Sequence, residues 1–365
     1  MAKFAEVFSD ETKRGYKIPT SEYLTSGKHP IIDQGYGQIA GYADLESGAF
    51  TDVPAIIFGD HTRIVKYVDT PFFLGADGVK VLKIKTPNAD YKYLFYFLQN
   101  AKIPNTGYNR HFKWLKELDV PLPSIDEQRR IAAILDKVTD LIDKRRAQMD
   151  KLDLLVKSRF VEMFGEPGTD SKGWGLTSLG KICQINPKKG KDQRLINRLM
   201  VSFVPMTAID ETGEIDVSDT KIYDEVKTGF TYFAEDDVLF AKITPCMENG
   251  KGAIAKGLCN GIGFGSTEFH VLRPISGKTN SCWIYTLTSF ASFRRDAANN
   301  MTGSAGQRRV PVSFLENYKV SAPPVEEQNR FELFARQCID SKTVIRQSIE
   351  MIETLKEALM QHYFG

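Results

Sequence analysis

Within residues 123–165 the apolar positions Ile131, Leu135, Val138, Ile142, Met149, Leu152, Val156 and Met163 fall in steps of three, four and seven. That spacing lays one stripe along one face of an α-helix. No Gly or Pro lies between the opening Pro123 and the closing Gly165, so a single continuous helix is predicted. The pattern returns at Phe331, Ala335, Cys338, Ile345, Ile349, Ile352, Leu359 and Tyr363, in the same heptad register and 200 positions on (123 to 323, 165 to 365). Both copies open alike, with Pro123-Ser124-Ile125-Asp126-Glu127-Gln128-Arg129-Arg130 answered by Pro323-Pro324-Val325-Glu326-Glu327-Gln328-Asn329-Arg330, and both close on Phe-Gly. A helix rising 1.5 Å per residue would be roughly 60 Å long here, too long to hide its stripe in a small domain. The two copies are therefore predicted to pack seam to seam. Asp126, Glu127, Glu326 and Glu327 suit the positive end of the helix dipole. Arg145, Arg159, Lys342 and Lys356 interrupt the seam and are read as side chains that lay their stems along it with their charges in water, or alternatively as the place where a further protein docks.

Between the helices the period changes. Short β-branched and aromatic runs such as Ala55-Ile56-Ile57-Phe58, Val79-Lys80-Val81-Leu82-Lys83-Ile84, Val238-Leu239-Phe240-Ala241-Lys242-Ile243 and Phe269-His270-Val271-Leu272 predict largely antiparallel strands with wide loops. Residues 91–100 and 282–295 are predicted to be short helices. The strand-rich segments also echo each other. Phe58-Gly59 followed by Gly78-Val79-Lys80-Val81-Leu82 parallels Phe240-Ala241 followed by Glu268-Phe269-His270-Val271-Leu272, and Tyr93-Leu94-Phe95-Tyr96 answers Trp283-Ile284-Tyr285-Thr286. Thr106-Gly107 answers Thr302-Gly303, Leu115 matches Leu315 and Val120 matches Val320. The chain thus reads as an α+β tandem duplication of module plus long helix, divided at 1–122, 123–165, 166–322 and 323–365.

Composition narrows the class. With 365 residues, 42% hydrophobic and 26% charged, the chain is long enough for two globular domains. No stretch has the apolar length of a membrane span, and Met1-Ala2-Lys3-Phe4-Ala5-Glu6 has no secretory pattern; a cytoplasmic protein is expected. Five cysteines, Cys183, Cys246, Cys259, Cys282 and Cys338, lack C-x-x-C spacing and predict free thiols. A net charge of +2 requires any nucleic-acid surface to be a local patch.

Catalytic patterns are absent from the sequence. Gly190-Lys191 is followed by Asp192 and lacks the upstream Gly and the Ser or Thr of a phosphate-binding loop. Asn186-Pro187 leads into Lys188, with no glycine-rich cofactor loop in a βαβ setting. Asp216 with Glu225-Val226-Lys227 fits only a loose nuclease pattern, and His29, His61, His111, His270 and His362 have no metal-ligand spacing.

The order of module, Pro-x-x-acid-Glu-Gln helix, module and second such helix resembles the specificity subunits of type I restriction-modification enzymes. The resemblance is carried by the two helices and by Ile57-Phe58-Gly59-Asp60-His61-Thr62-Arg63, Gly75-Ala76-Asp77-Gly78, Asp237-Val238-Leu239-Phe240-Ala241-Lys242-Ile243-Thr244-Pro245 and Gly265-Ser266-Thr267-Glu268-Phe269-His270-Val271-Leu272-Arg273-Pro274. It covers nearly the whole chain. It implies two β-rich target-recognition domains separated by an antiparallel coiled coil, with pseudo-two-fold symmetry. It also implies a bipartite site on double-stranded DNA, one half per module, and docking of two modification subunits and of restriction subunits. On that reading the chain itself holds no cofactor. S-adenosylmethionine for adenine methylation, ATP and Mg belong to the partners. Any helical segment ahead of the first module is expected to be very short.

Sequence readers need side chains for base edges and for phosphates on exposed loops. In the second module Ser304, Gln307, Arg308 and Arg309 follow Thr302-Gly303, and Gln pairs with adenine and Arg with guanine through two hydrogen bonds. The matching stretch of the first module supplies Tyr108, Asn109, Arg110 and Lys113. Tyr36 and Gln38, with His61 and Arg63, are further groove candidates, and Lys188 and Lys189 suit phosphates. Glu127, Gln128, Arg130, Glu327, Gln328 and Arg330, at the helix starts, are the candidate partner contacts. The alternatives are a stand-alone DNA nuclease or methyltransferase whose helices only dimerise, and an interaction scaffold without a DNA role.

Overall fold

A computed structural model describes residues 1–75, 77–107, 109–190, 194–304 and 306–365; the candidate Tyr108, with Ala76, Lys191 and Ala305 of the motifs above, lies outside the described residues. The two stripes become helices of 40 residues each, Ile125–Phe164 and Val325–Phe364. Ser124 caps the first through its hydroxyl, which accepts from the Glu127 amide at 3.3 Å. At its far end Gly165 takes φ +82° and donates its amide to the Val161 carbonyl at 2.8 Å, the left-handed stop that glycine permits.

The chain divides into two compact units, residues 1–147 with 346–365 and residues 148–345. This division cuts through the middle of each long helix, unlike the four-part division read from the sequence, because each module packs on the near half of one helix and the far half of the other.

In the first unit Ile131, Ala132 and Leu135 share a core with Met360, while Arg146 pairs with Glu353 at 2.7 Å. As one index rises the other falls, so these helix halves run antiparallel. The second unit repeats the relation: Asp153 pairs with Lys342 at 2.8 Å, and the rings of Phe160 and Phe331 lie 5.4 Å apart. The Lys342 side chain is largely buried, and its ammonium pairs with the half-exposed Asp153 carboxylate of the other helix. Arg159 pairs along its own helix with Glu162 at 2.8 Å. Burial of Lys356 lowers its pKa, which Asp143 opposes.

The modules share one topology. In the first, an antiparallel sheet runs in the order Phe8–Asp10, Val79–Ile84, Ala55–Gly59, Val65–Val68. In the second the order is Cys183–Ile185, Phe269–Pro274, Val238–Ala241, Gly252–Ile254. The register agrees with the sequence echo: Ile56 faces Leu82 as Val238 faces Leu272, and Phe58 faces Lys80 as Phe240 faces His270. A second sheet carries one parallel pair in each module, His29–Ile32 beside Phe73–Leu74 and Met200–Val204 beside Ile262–Gly265. The run at 238–243 is a strand only to Ala241, because Lys242 turns away to bond the loops described below.

The short helices also correspond. Asp90 caps Tyr91–Asn100 by accepting from Tyr93, and Asn280 caps Ser281–Ser289 by accepting from Trp283. The single helix expected over 282–295 is instead two, Ser281–Ser289 and Ala291–Asn299, broken where Phe290 is extended and buries its ring on Phe160. Phe160, Phe164, Trp283 and Phe331 centre the second core. In the first, Phe364 packs on Tyr93 with ring centroids 5.3 Å apart. Among the described residues no helix is long and apolar enough to cross a membrane.

Candidate nucleic-acid interface

Each module gathers three loops with the same backbone clip. In the first, Asp60 donates its amide to the Gly78 carbonyl at 2.6 Å and accepts the His111 amide at 2.7 Å. In the second, Lys242 donates to Glu268 at 2.9 Å and accepts from Val310 at 2.9 Å. The clip fastens the end of residues 106–111, or of residues 302–310, to the turn that leaves the central strand. Buried backbone groups demand such partners, so the loops are set by the sheet rather than by their own composition.

The first clip encloses Gln34. Its carbonyl oxygen Oε1 accepts the His61 amide at 3.1 Å, its Nε2 donates to the Asp77 carbonyl at 2.9 Å, and its main-chain carbonyl accepts the Thr62 hydroxyl at 2.7 Å. A Cβ on Gly59 would lie 2.9 Å from the Gln34 Cβ, and one on Gly78, already at φ +92°, would lie 2.6 Å from its Nε2. Gly59 and Gly78, one from each first-module motif, are therefore walls of a glutamine cradle. Sequence reasoning passed over Gln34; the signal was the pair of glycine-bearing strings flanking the strand.

Around this base Tyr36 and Arg110 are exposed, and Gln38 donates to the Tyr67 carbonyl at 2.8 Å. Asn109 folds its amide onto the Thr106 carbonyl. His61 and Arg63 are half-buried, and the Arg63 guanidinium donates to the Ile103 carbonyl at 3.2 Å, away from an open-handed role. Lys113 is exposed with its ammonium 4.8 Å from the Trp114 ring.

In the second module Thr302 and Arg309 close a turn. Thr302 and Arg309 exchange both backbone hydrogen bonds, at 3.0 and 2.8 Å, and Gln307 donates to Ser304 at 3.1 Å. Ser304, Gln307 and Arg308 are exposed, with Arg308 3.4 Å from Glu248. Arg309 differs: its Nε and Nη2 both donate to the Glu268 carboxylate at 2.9 Å. These bonds hold the Glu268 pKa below the usual carboxylate range. Two donors of the fork are thus paired within the module, and Arg309 buttresses the turn.

His270 joins the bases of two loops. Its Nε2 donates to the Val310 carbonyl at 2.8 Å, and its Nδ1 accepts from Asn186 Nδ2 at 3.0 Å, while Asn186 Oδ1 accepts the Val271 amide at 2.9 Å. That set suits a neutral ring, and burial lowers the His270 pKa. Lys188, two residues beyond Asn186, is exposed; Lys189 donates to the Lys227 carbonyl at 2.7 Å.

The helix-start candidates separate into two kinds. Glu127 with Arg130, and Glu327 with Arg330, are surface pairs at 2.6 and 2.8 Å. Gln128 and Gln328 are not surface groups: they are 0% and 1% exposed. Gln128 accepts the Asp90 amide at 2.9 Å and donates to Asn88 and Pro123 at 3.0 and 2.9 Å. Gln328 donates to Lys278 and Pro323 at 3.1 and 2.9 Å and accepts the Thr279 hydroxyl at 2.8 Å. Both glutamines brace the helix start against the module, which corrects their reading as partner contacts.

Two modules of one topology, each with its loops clipped to the turn after its central strand, define a tandem two-module protein. Residues 2–152 and 171–352 match the type I restriction modification DNA specificity domain, and the chain belongs to that family. It is 43% identical over 162 residues to the type I restriction enzyme EcoAI specificity subunit of Escherichia coli, covering 43% of this chain and 26% of that protein. It is 40% identical over 210 residues to the EcoEI specificity subunit of Escherichia coli, covering 57% of this chain and 33% of that protein. The chain thus spans about a quarter to a third of these two relatives. A putative type I restriction enzyme MjaX specificity subunit of Methanocaldococcus jannaschii is 22% identical, over 96% of this chain and 87% of that protein. The fold is similar to the crystal structure of a type I restriction-modification S subunit from M. genitalium, with TM-score 0.53, 13% identity and coverage of 100% and 95% of the two chains.

Proposed function

We propose that this chain is the non-catalytic DNA-reading subunit of a type I restriction-modification complex, each module reading one half of a bipartite duplex site. The single observation that carries this reading is the repeated clip, which holds a loop rich in Asn, Gln and Arg at the same place in both modules. Ser304, Gln307 and Arg308 are the base readers of the second module. Arg110 and Asn109, with Tyr36, serve the first, Gln38 ties down the loop that carries Tyr36, and Lys113, Lys188 and Lys189 meet phosphates. His61, Arg63 and Arg309 position these loops. Glu127, Arg130, Glu327 and Arg330 contact modification subunits, which bind S-adenosylmethionine and methylate adenine N6, while restriction subunits supply the ATP- and Mg-dependent steps in the cytoplasm. Sequencing the methylated bases of cells with and without the gene tests this: deletion removes one bipartite adenine motif, and an unchanged pattern contradicts the proposal.

A further inference from the structure

Tyr36 is 96% exposed, yet the loop that carries it is tied down on every side. Asp33 accepts the Gly35 amide at 2.8 Å, Gln34 is fixed in its cradle, and Gln38 holds the Tyr67 carbonyl. From the neighbouring strand Lys66, only 3% exposed, donates to the Gly37 carbonyl and lies 3.3 Å from the Asp33 carboxylate. A buried ammonium is retained only where it is paired and hydrogen-bonded, and here it serves one surface loop. Burial lowers the Lys66 pKa, with Asp33 opposing.

The second module treats the matching loop differently. Opposite Leu239, where Lys66 faces Ile57 in the first module, stands Ala253. Lys251 braces the loop instead, donating to the Met206 and Ile209 carbonyls at 3.4 and 2.9 Å. Residues 205–210 contain no aromatic side chain. A rigid loop with an outward ring is therefore a device of the first module alone. Because Gln34 also bonds His61 and Asp77, this loop shares its base with the clip that holds residues 106–111. A ring held rigidly on a tip gives up little conformational freedom on contact.

We propose that Tyr36 is a stacking wedge that packs its ring on a base face at an opened step of the first module's half-site, with Lys66 as the positioning residue that keeps its loop rigid. Inserted side chains that part a base step, and aromatic rings that stack on bases, are established physical modes of DNA contact. The inference rests on the DNA-reading function above. Its test uses the full chain assembled with its modification subunits and duplexes in which 2-aminopurine replaces in turn each adenine of either half-site other than those the modification subunits methylate, whose own extrusion would raise the signal. The native complex raises the fluorescence at one position of the first module's half-site and nowhere in the other. Tyr36→Ala abolishes that rise and weakens binding roughly 10- to 100-fold, while Tyr36→Phe keeps both. Lys66→Met diminishes the rise and Lys66→Arg restores part of it; Gln38→Ala, which loosens the loop without leaving a buried charge, diminishes it too. A native complex that binds the bipartite duplex without any rise, or a rise that survives Tyr36→Ala, overturns the wedge alone. Full signal in both Lys66→Met and Gln38→Ala overturns the positioning role. Equal binding to bipartite and scrambled duplexes overturns the DNA-reading function itself.

Discussion

Replacing Gln128, whose own side chain is fully buried, with Ala removes one acceptor and two donors. The Asp90 amide and the Asn88 and Pro123 carbonyls, at 2.9 to 3.0 Å, then lose their partner together. One buried polar group left unpaired costs about 1–3 kcal/mol, and partial entry of water keeps the sum for three to about 2–4 kcal/mol. The loss is local, because the same glutamine joins the Ile125–Phe164 helix to the cap of the Tyr91–Asn100 helix. Amide hydrogen exchange read on peptides spanning residues 88–98 and 123–131 should show protection falling by roughly 30- to 700-fold. Gln328→Ala should do the same to residues 278–288 and 323–331 and leave the first unit untouched. Glu127→Ala, at an exposed pair, should cost no more than about 1 kcal/mol. Protection unchanged in Gln128→Ala while assembly with modification subunits fails would refute the bracing role and restore the glutamine as a docking residue.

Phe160 is fully buried among Phe164, Trp283, Phe290 and Phe331, and Phe160→Ala should destabilise the second unit by about 3–5 kcal/mol in urea unfolding. Because burial depresses the His270 pKa from 6.5, the folded unit resists a proton that the unfolded chain accepts. Its stability is complete above about pH 6.5, declines as pH falls toward the depressed folded pKa, and His270→Asn should flatten that slope in thermal unfolding followed against pH. Glu268→Ala should release Arg309 and loosen the closed turn, weakening discrimination at the second module's half-site about tenfold or more with little change at the other, as read by competition with half-site variants.

The long helices were legible because their apolar spacing runs uninterrupted, and the duplication was legible because buried positions such as Leu115 and Leu315 recur at a constant offset. Phe160, Phe164 and Met360 escaped the heptad reading: a helix of 3.6 residues per turn drifts from a 3.5 seam, and near its ends the buried face turns toward the module. The break at Phe290 escaped because no Gly or Pro marks it; the ring's place against Phe160 determines the extended residue. The glutamines of the helix starts were misread for a different reason. Their partners stand about 40 or 50 residues away in the chain, and a motif cannot reveal whether a polar side chain faces water or main-chain carbonyls. The carboxylate that Arg309 pairs with likewise lies 41 residues upstream, beyond the reach of a local motif.

Each module should read its own half-site. Residues 302–309 should be exchanged for the corresponding loop of a relative, and the methylated motif of the resulting complex sequenced beside that of the native one. New bases are expected in one half of the motif, with the other half and the spacer unchanged; alteration of both halves, or of neither in an active complex, would rule out modular reading.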